Sequence, residues 1–311
     1  MKDVVVIKCG DLLLEAWVAN MTRLLPEFEI LPYNKVIEPE AVRYIIGWCP
    51  DARWINQFPK LKAVVSIGSG VDHIEHLSEL RSDLPLIRTV APDLVQRMRE
   101  FVALCVLAWH RQFVSIFEHN ETREWRRFAV GTADTVRVGI MGYGSMGRTA
   151  ADVLSAIGYD VSVWASSPRP EVKFDYFHGS DKLGEFAKRL DVLICLLPLT
   201  SATEGILNYE LMSKIRPGGC VINLGRGAHL VDNDLFRLLD NGHLSAAFVD
   251  GLRAEPLPSD SPLFDQKNVV VTFHSAAYIS PETGPVIIAE NIRKFDAGEE
   301  VSPMYDRTKG Y

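Results

Sequence analysis

The stretch Val138-Gly-Ile140-Met-Gly142-Tyr-Gly144-Ser145-Met146-Gly147 constrains the fold more than any other. A short apolar run ends in glycines spaced G-x-G-x-x-G, and an Ala/Leu-rich segment with helical spacing, Arg148 to Ile157, follows at once. Strand, tight turn and helix in that order imply a βαβ unit. The first glycine makes the turn, the second lets backbone approach a pyrophosphate, and the third lets helix pack closely on strand. Phosphate placed there meets free N–H groups at the positive end of the helix. The loop Gly142 to Gly147, with Ser145 and Met146, is therefore expected to bind a dinucleotide; a glycine-rich packing turn is the bland alternative.

Apolar strand-like runs alternate with helical patterns along the rest of the chain, the mark of a parallel α/β sheet. Strands are expected at Val4–Lys8, Glu29–Tyr33, Tyr44–Trp48 and Ala63–Ile67, the last ending in Gly68-Ser69-Gly70. Leu12 to Leu25 reads as a helix, Pro39 to Tyr44 as a short one, and Asp93 to about Phe117 as one long apolar helix. A second series of strands fits at Val136–Ile140, Asp160–Trp164, Val192–Leu196, Cys220–Asn223, Ala246–Asp250 and Val269–Thr272. The helical tail, Pro281 to Phe295, has no strand after it and is expected to return to the first domain. At 311 residues the chain is about right for two domains. The expected fold class is α/β, with two doubly wound parallel-sheet domains. A Rossmann NAD(P)-binding domain over residues 96–282 is inserted in a flavodoxin-like substrate domain formed by residues 1–95 and completed by 283–311.

The end of the second Rossmann strand bears on the choice of cofactor. NAD enzymes place Asp or Glu there to accept hydrogen bonds from the ribose. Here the chain reads Val163-Trp-Ala-Ser166-Ser167-Pro-Arg169, and Asp160 lies at the wrong end. An arginine on a 2′-phosphate makes a charge-assisted bond worth roughly 1.5–3 kcal/mol, or about a 10–100-fold preference for NADP. NADP is favoured through Ser166, Ser167 and Arg169, with NAD left open and a solvated loop arginine as the alternative.

Three later segments hold the remaining chemistry: Asn223-Leu-Gly-Arg226-Gly227, Glu255-Pro-Leu-Pro258 and Val271-Thr-Phe273-His274. Arg226 follows a strand, between glycines, where a guanidinium can hold a carboxylate bidentately and polarise an adjacent ketone. His274 follows the last strand at its carboxyl end, where open α/β sheets bind ligands. Its imidazolium can donate a proton to a carbonyl oxygen as hydride reaches the carbon. Glu255, at hydrogen-bond distance, would hold that histidine charged. Singly, Arg226 can cap a helix, Glu255 can be a surface carboxylate and His274 a core histidine. Jointly they point to reduction of a 2-oxo acid.

Composition narrows the partners. A net charge of −7 and the lack of any Lys/Arg run argue against nucleic acid. The apolar run Phe101 to Trp109 is far short of the ~20 residues that span a bilayer, and the N-terminus begins as a strand, so a cytoplasmic protein without membrane contact is expected. Cys9, Cys49, Cys105, Cys195 and Cys220 have no zinc or redox spacing and read as buried thiols. His73 and His76 share a helical spacing but no third ligand is evident, so no metal is expected.

With these residues the chain resembles the D-isomer-specific 2-hydroxyacid dehydrogenase family over essentially its full length. The matches are Gly142-x-Gly-x-x-Gly147, Leu196-Leu197-Pro198-Leu-Thr200 with Thr203, Asn223-x-x-Arg226-Gly227, Asp250, Glu255-Pro-Leu-Pro258 and Val271-Thr-x-His274. The resemblance implies Arg226, Glu255 and His274 as the catalytic set and Asp250 as partner of the nicotinamide carboxamide. It implies Leu197, Pro198 and Thr203 at the cofactor, and backbone around Gly68, Ser69 and Gly70 at the substrate carboxylate. Within the family the chain is similar to the glyoxylate/hydroxypyruvate reductase A branch, through Trp48-Cys-Pro50, Ser69-Gly-Val-Asp72, Gln96-Arg-Met-Arg-Glu100-Phe and the ending Tyr305 to Tyr311. That branch favours NADPH, and its first domain offers an aromatic over the substrate, here Trp48, for which core packing is the alternative. A homodimer through the Phe101–Trp109 region is also implied. One departure stands out: the residue before the histidine is usually proline, and here it is Phe273, which frees a backbone N–H and relaxes the turn. The expected activity is NADPH-dependent reduction of glyoxylate and hydroxypyruvate to the D-2-hydroxy acid. A bulkier 2-oxo acid and a dinucleotide-sensing interaction protein are the alternatives.

Overall fold

Uninterrupted apolar runs, rather than alternating ones, build the sheets of this protein, because helices cover both of their faces. The computed structural model describes residues 2–310 except 37, 49–50, 72–73, 75–78 and 170. Cys49, Pro50, Asp72, Tyr311 and the pair His73 and His76 lie outside the described residues. The chain divides into two units, residues 1–94 with 278–311 and residues 95–277.

In the first unit, β1 (Val4–Lys8), β2 (Glu29–Pro32), β3 (Val42–Gly47), β4 (Ala63–Ser66) and β5 (Leu86–Ile87) form a parallel sheet in the order β2-β1-β3-β4-β5. Val5, Val6, Ile45, Ile46, Val64 and Val65 are fully buried in it. The tail helix Gly284–Asp296 packs on helix Asp11–Leu24. Arg293 Nε donates to Glu27 at 2.7 Å, and the Tyr44 hydroxyl donates to Asp296 at 2.9 Å.

In the second unit, β6 (Arg137–Met141), β7 (Asp160–Ala165), β8 (Asp175–His178), β9 (Val192–Cys195), β10 (Gly219–Asn223), β11 (Leu244–Val249) and β12 (Val269–Val271) form a parallel sheet in the order β12-β11-β10-β9-β6-β7-β8. The chain runs outward from β6 to β8, then returns to β9 on the other side of β6, pairing Ile140 with Ile194 and Met141 with Cys195. That reversal creates a crevice at the carboxyl ends of β6 and β9, the place where open sheets bind ligands. One face of the sheet packs Ile140, Ile194 and Ile222 on Ala150 and Leu154 of helix Ser145–Ile157. The other packs Leu193 and Val221 on Phe186, Leu190 and Leu235. Each fully buried side chain of the size of Ile140 or Phe186 contributes roughly 1.5–3 kcal/mol.

The expected single helix from Asp93 to about Phe117 is two helices, Pro92–His110 and Phe113–Thr122, bent by 57°. Gln112 takes a φ of 57°, in the left-handed region, which cannot continue a right-handed helix. Neither glycine nor proline marks the break, so the apolar periodicity runs through it. No single helix among the described residues is long and apolar enough to cross a membrane. The short helix expected over Pro39 to Tyr44 is a 3-10 turn, Pro39–Ala41, because Val42 already enters β3 and is fully buried there. β5 and β8 have no counterpart among the expected strands. The first is two residues long, and the second is an edge strand with exposed Asp175 and His178.

Candidate active site

The glycine loop is built by backbone contact. Gly142 has a φ of 100°, and a Cβ there would lie 2.8 Å from the Leu196 carbonyl oxygen. At Gly147 a Cβ would lie 1.9 Å from the Gly142 carbonyl oxygen, so helix Ser145–Ile157 begins directly against the turn. Gly144, by contrast, has open space at the same position, and no side chain caps the helix it precedes. Ser145 is exposed and Met146 half-buried beside it. Uncapped N–H groups facing open space fit a pyrophosphate.

Past the end of β7, Ser166 and Ser167 are exposed, and the Ser167 carbonyl accepts a hydrogen bond from the Tyr176 hydroxyl. Arg169 is half-buried, with its Nε buried and lacking a hydrogen-bond partner. Orphaned buried donors are rare, and a phosphate oxygen would satisfy this one. The residues present therefore fit a phosphorylated dinucleotide. Leu197 is buried at the start of the next loop. The Thr203 hydroxyl donates to the Pro198 carbonyl at 2.7 Å and accepts the Thr200 N–H at 2.8 Å, so it holds that loop in shape.

Arg226 follows β10, and Asn223 at the end of that strand folds the turn around it. Asn223 Oδ1 accepts the Gly225 N–H at 3.2 Å, while its Nδ2 donates to the Arg226 carbonyl at 3.0 Å. Asparagine at a strand end is a turn signal, and Asn223 opens the Asn223-x-x-Arg226-Gly227 motif. His274 Nδ1 meets Glu255 Oε2 at 2.7 Å, the distance of a charge-assisted hydrogen bond. Glu255 Oε1 accepts the Leu252 N–H at 3.0 Å. Burial pushes the Glu255 carboxyl upward, but the hydrogen bonds from His274 and Leu252, with the charges of His274 and Arg226, outweigh it and hold the group below its ordinary value. The three side chains thus share one electrostatic environment.

Asp250 underlies the histidine. Its buried Oδ1 accepts the Thr272 hydroxyl at 2.7 Å and the N–H groups of Ser275 and Ala276 at 2.8 and 3.2 Å, and its carbonyl accepts the His274 N–H at 2.9 Å. This network supports two consecutive left-handed residues, Phe273 at φ 56° and His274 at φ 54°. Proline is locked near −65°, so the turn made with Phe273 is one that proline cannot make.

The residues named in the first unit form their own group at the carboxyl ends of β3 and β4. Trp48 lies against Gly68, where a Cβ would be 3.1 Å from its ring. Ser66 Oγ accepts the Gly68 N–H at 3.1 Å and donates to the Gly70 carbonyl at 2.8 Å. Arg88, which no motif singles out, donates from Nε to the Ser69 carbonyl at 2.7 Å.

Comparison with known proteins places the chain in a family. Residues 103–276 match the family model described as "D-isomer specific 2-hydroxyacid dehydrogenase, NAD binding domain". The chain is 33% identical over 302 residues to glyoxylate/hydroxypyruvate reductase A of Serratia proteamaculans, covering 96% of both chains. It is 34% identical over 300 residues to the reductase of that name from Klebsiella pneumoniae, covering 95% of this chain and 96% of that one. Among solved structures, a D-isomer specific 2-hydroxyacid dehydrogenase from Xanthobacter autotrophicus in complex with NADPH and MES superposes with a TM-score of 0.93 at 32% identity, over 100% of both chains. The NADPH-dependent glyoxylate/hydroxypyruvate reductase of Sinorhizobium meliloti, in complex with NADP and sulfate, gives 0.92 at 33% identity, again over 100% of both. Fold, matched model and full-length relatives agree, and the chain belongs to the D-isomer specific 2-hydroxyacid dehydrogenase family.

Proposed function

We propose that this protein is an NADPH-dependent reductase of small 2-oxo acids, glyoxylate and hydroxypyruvate, giving the D-2-hydroxy acid. The observation that carries the reading is the 2.7 Å contact between His274 and Glu255, with the charge of Arg226 felt at the same carboxylate. When bound, the nicotinamide supplies hydride to the carbonyl carbon. Arg226 grips the substrate carboxylate and draws electron density from the adjacent ketone. His274, with Nδ1 held by Glu255, gives the proton on its other ring nitrogen to the carbonyl oxygen. Glu255 keeps the ring oriented. Ser69 and Gly70, with Gly68 and Trp48, belong to the proposal as substrate-side residues.

For the cofactor, Gly142 to Gly147 hold the pyrophosphate, and Ser166, Ser167 and Arg169 favour NADP, with NAD a weaker ligand. Leu197, Pro198 and Thr203 shape the nicotinamide side, and Asp250 joins them while anchoring the histidine turn. Residues 1–94 with 278–311 act as the substrate domain in this reading. We extend it to a homodimer, supported by the exposed apolar side chains Leu104, Phe113 and Phe117 around Phe101 and Ala108. A cytoplasmic setting is supported by the buried free thiols Cys105, Cys195 and Cys220.

The test is a cofactor-oxidation assay with glyoxylate, hydroxypyruvate and pyruvate, offered with NADPH and NADH in parallel. Fast NADPH-linked turnover of the first two acids is expected. Preference for NADH removes the 2′-phosphate reading. Activity only with bulkier acids such as phenylpyruvate favours a second reading, suggested by the altered Phe273 turn. No turnover with any acid, together with tight NADPH binding, revives a dinucleotide sensor.

A further inference from the structure

We propose that His229 is a positioning residue that ties Arg226 to the Pro198 loop, so that one imidazole sets both the substrate grip and the seating of the nucleotide. The inference rests on the functional reading above and adds to it a residue that no motif contains.

His229 is 0% exposed and lies in a short 3-10 turn, Gly227–His229, just after Arg226. Both ring nitrogens are used. The Arg226 backbone N–H lies 2.9 Å from Nδ1, and Nε2 lies 3.2 Å from the Pro198 carbonyl oxygen. An amide N–H only donates and a carbonyl only accepts, so the tautomer is forced. Nδ1 keeps its lone pair and Nε2 carries the proton. The ring is neutral in this arrangement, since a second proton on Nδ1 would point at the Arg226 N–H.

The connection continues at either end. The Pro198 carbonyl also accepts the Thr203 hydroxyl at 2.7 Å, and the loop that carries it begins against the glycine turn, with the Leu196 N–H donating to Met141 at 2.9 Å. At the other end Asn223 holds the Arg226 carbonyl at 3.0 Å. His229 therefore fixes the N–H side of Arg226 while Asn223 fixes its carbonyl side. The intervening Gly225 is dictated by the imidazole, because a Cβ there would lie 2.7 Å from Nδ1. A buried histidine that only filled space would need neither the excluded Cβ nor two backbone partners on separate loops.

Two conservative variants separate the ends of the connection. His229→Asn carries an amide oxygen near the place of Nδ1, so it retains the Arg226 contact and is too short for Pro198. His229→Gln carries its amide nitrogen near the place of Nε2, so it retains Pro198 and loses the acceptor for Arg226. Loss of one buried hydrogen bond corresponds to roughly a tenfold change in an equilibrium constant. The Gln variant is expected to raise KM for glyoxylate about tenfold, with the NADPH Kd from fluorescence titration within about twofold of wild type. The Asn variant is expected to raise the NADPH Kd about tenfold while KM for glyoxylate, at saturating NADPH, changes little. Parallel losses in both quantities that follow Tm, or no change in either variant, overturn the inference and leave the functional reading standing. A wild-type protein that oxidises NADPH with neither glyoxylate nor hydroxypyruvate overturns the functional reading, and the inference falls with it.

Discussion

Arg226 and His274 both follow strand ends of one sheet, yet their turns are built in opposite ways. Arg226 leaves β10, an interior strand that is fully buried, and its own backbone is in ordinary extended geometry at φ −123°. His274 leaves β12, a three-residue edge strand only half-buried, and stands in a left-handed pair with Phe273. Non-glycine residues in that region cost of order 1–3 kcal/mol each. Here the bonds to Asp250 oppose that cost. The arginine proposed to recognise a carboxylate thus follows a fully buried interior strand. The histidine proposed to move a proton stands on a strained rim where its ring remains partly open to solvent.

Four experiments would break or sharpen this contrast. The largest effect is expected from His274→Ala, which should lower kcat for glyoxylate reduction by about 10²–10⁴-fold while NADPH binding survives. Full turnover after that change would remove the histidine from the chemistry. Asp250→Ala should follow: the buried Ala276 N–H loses its acceptor at about 1–3 kcal/mol, and the part-buried Ser275 N–H loses one that water can replace. Urea unfolding should show a loss of roughly 1–3 kcal/mol, with a fall in kcat and a weakened NADPH affinity. If the rim turn stores strain, Phe273→Gly should stabilise the fold by up to about 1 kcal/mol, because glycine accepts a positive φ freely. Phe273→Pro should do the reverse by forcing the turn open; equal stability for the two variants would mean that no strain is stored there.

The smallest effect is in the pH dependence. Glu255 is held below its ordinary value of 4.5, so its contribution to stability is complete above that value and is lost as pH falls through the lowered one. The stability gap between wild type and Glu255→Gln should therefore narrow from pH 6 to pH 3, modestly because the group is partly exposed. A gap that widens on acidification would contradict the sign.

Much of this was legible in the sequence because the physics is local. The apolar runs of β9 and β10 are buried on both faces and read as strands at sight, and Gly142 and Gly147 of the glycine motif report backbone contacts that only glycine allows. Arg226, Glu255 and His274 could be named from their chemistry, and the structure brings the last two to hydrogen-bond distance. What escaped is set by tertiary context. The left-handed residue at Gln112 interrupts a periodic pattern that nothing in composition interrupts. Strand β8 carries polar ends because one side of it has no neighbour. His229 escaped for a third reason: its partners are backbone groups, which leave no trace in the identity of the residues that supply them.

The tight start of helix Ser145–Ile157 also has a consequence for descent. Where the Gly142 carbonyl fills the place of a Cβ at Gly147, almost any replacement wrecks the turn, and that half of the nucleotide site is closed to drift. Ser166 and Ser167, standing exposed past β7, carry no such constraint. In the proposed reading, a few surface substitutions there would exchange one coenzyme for another, while the glycine turn proposed to hold the pyrophosphate has no room to change.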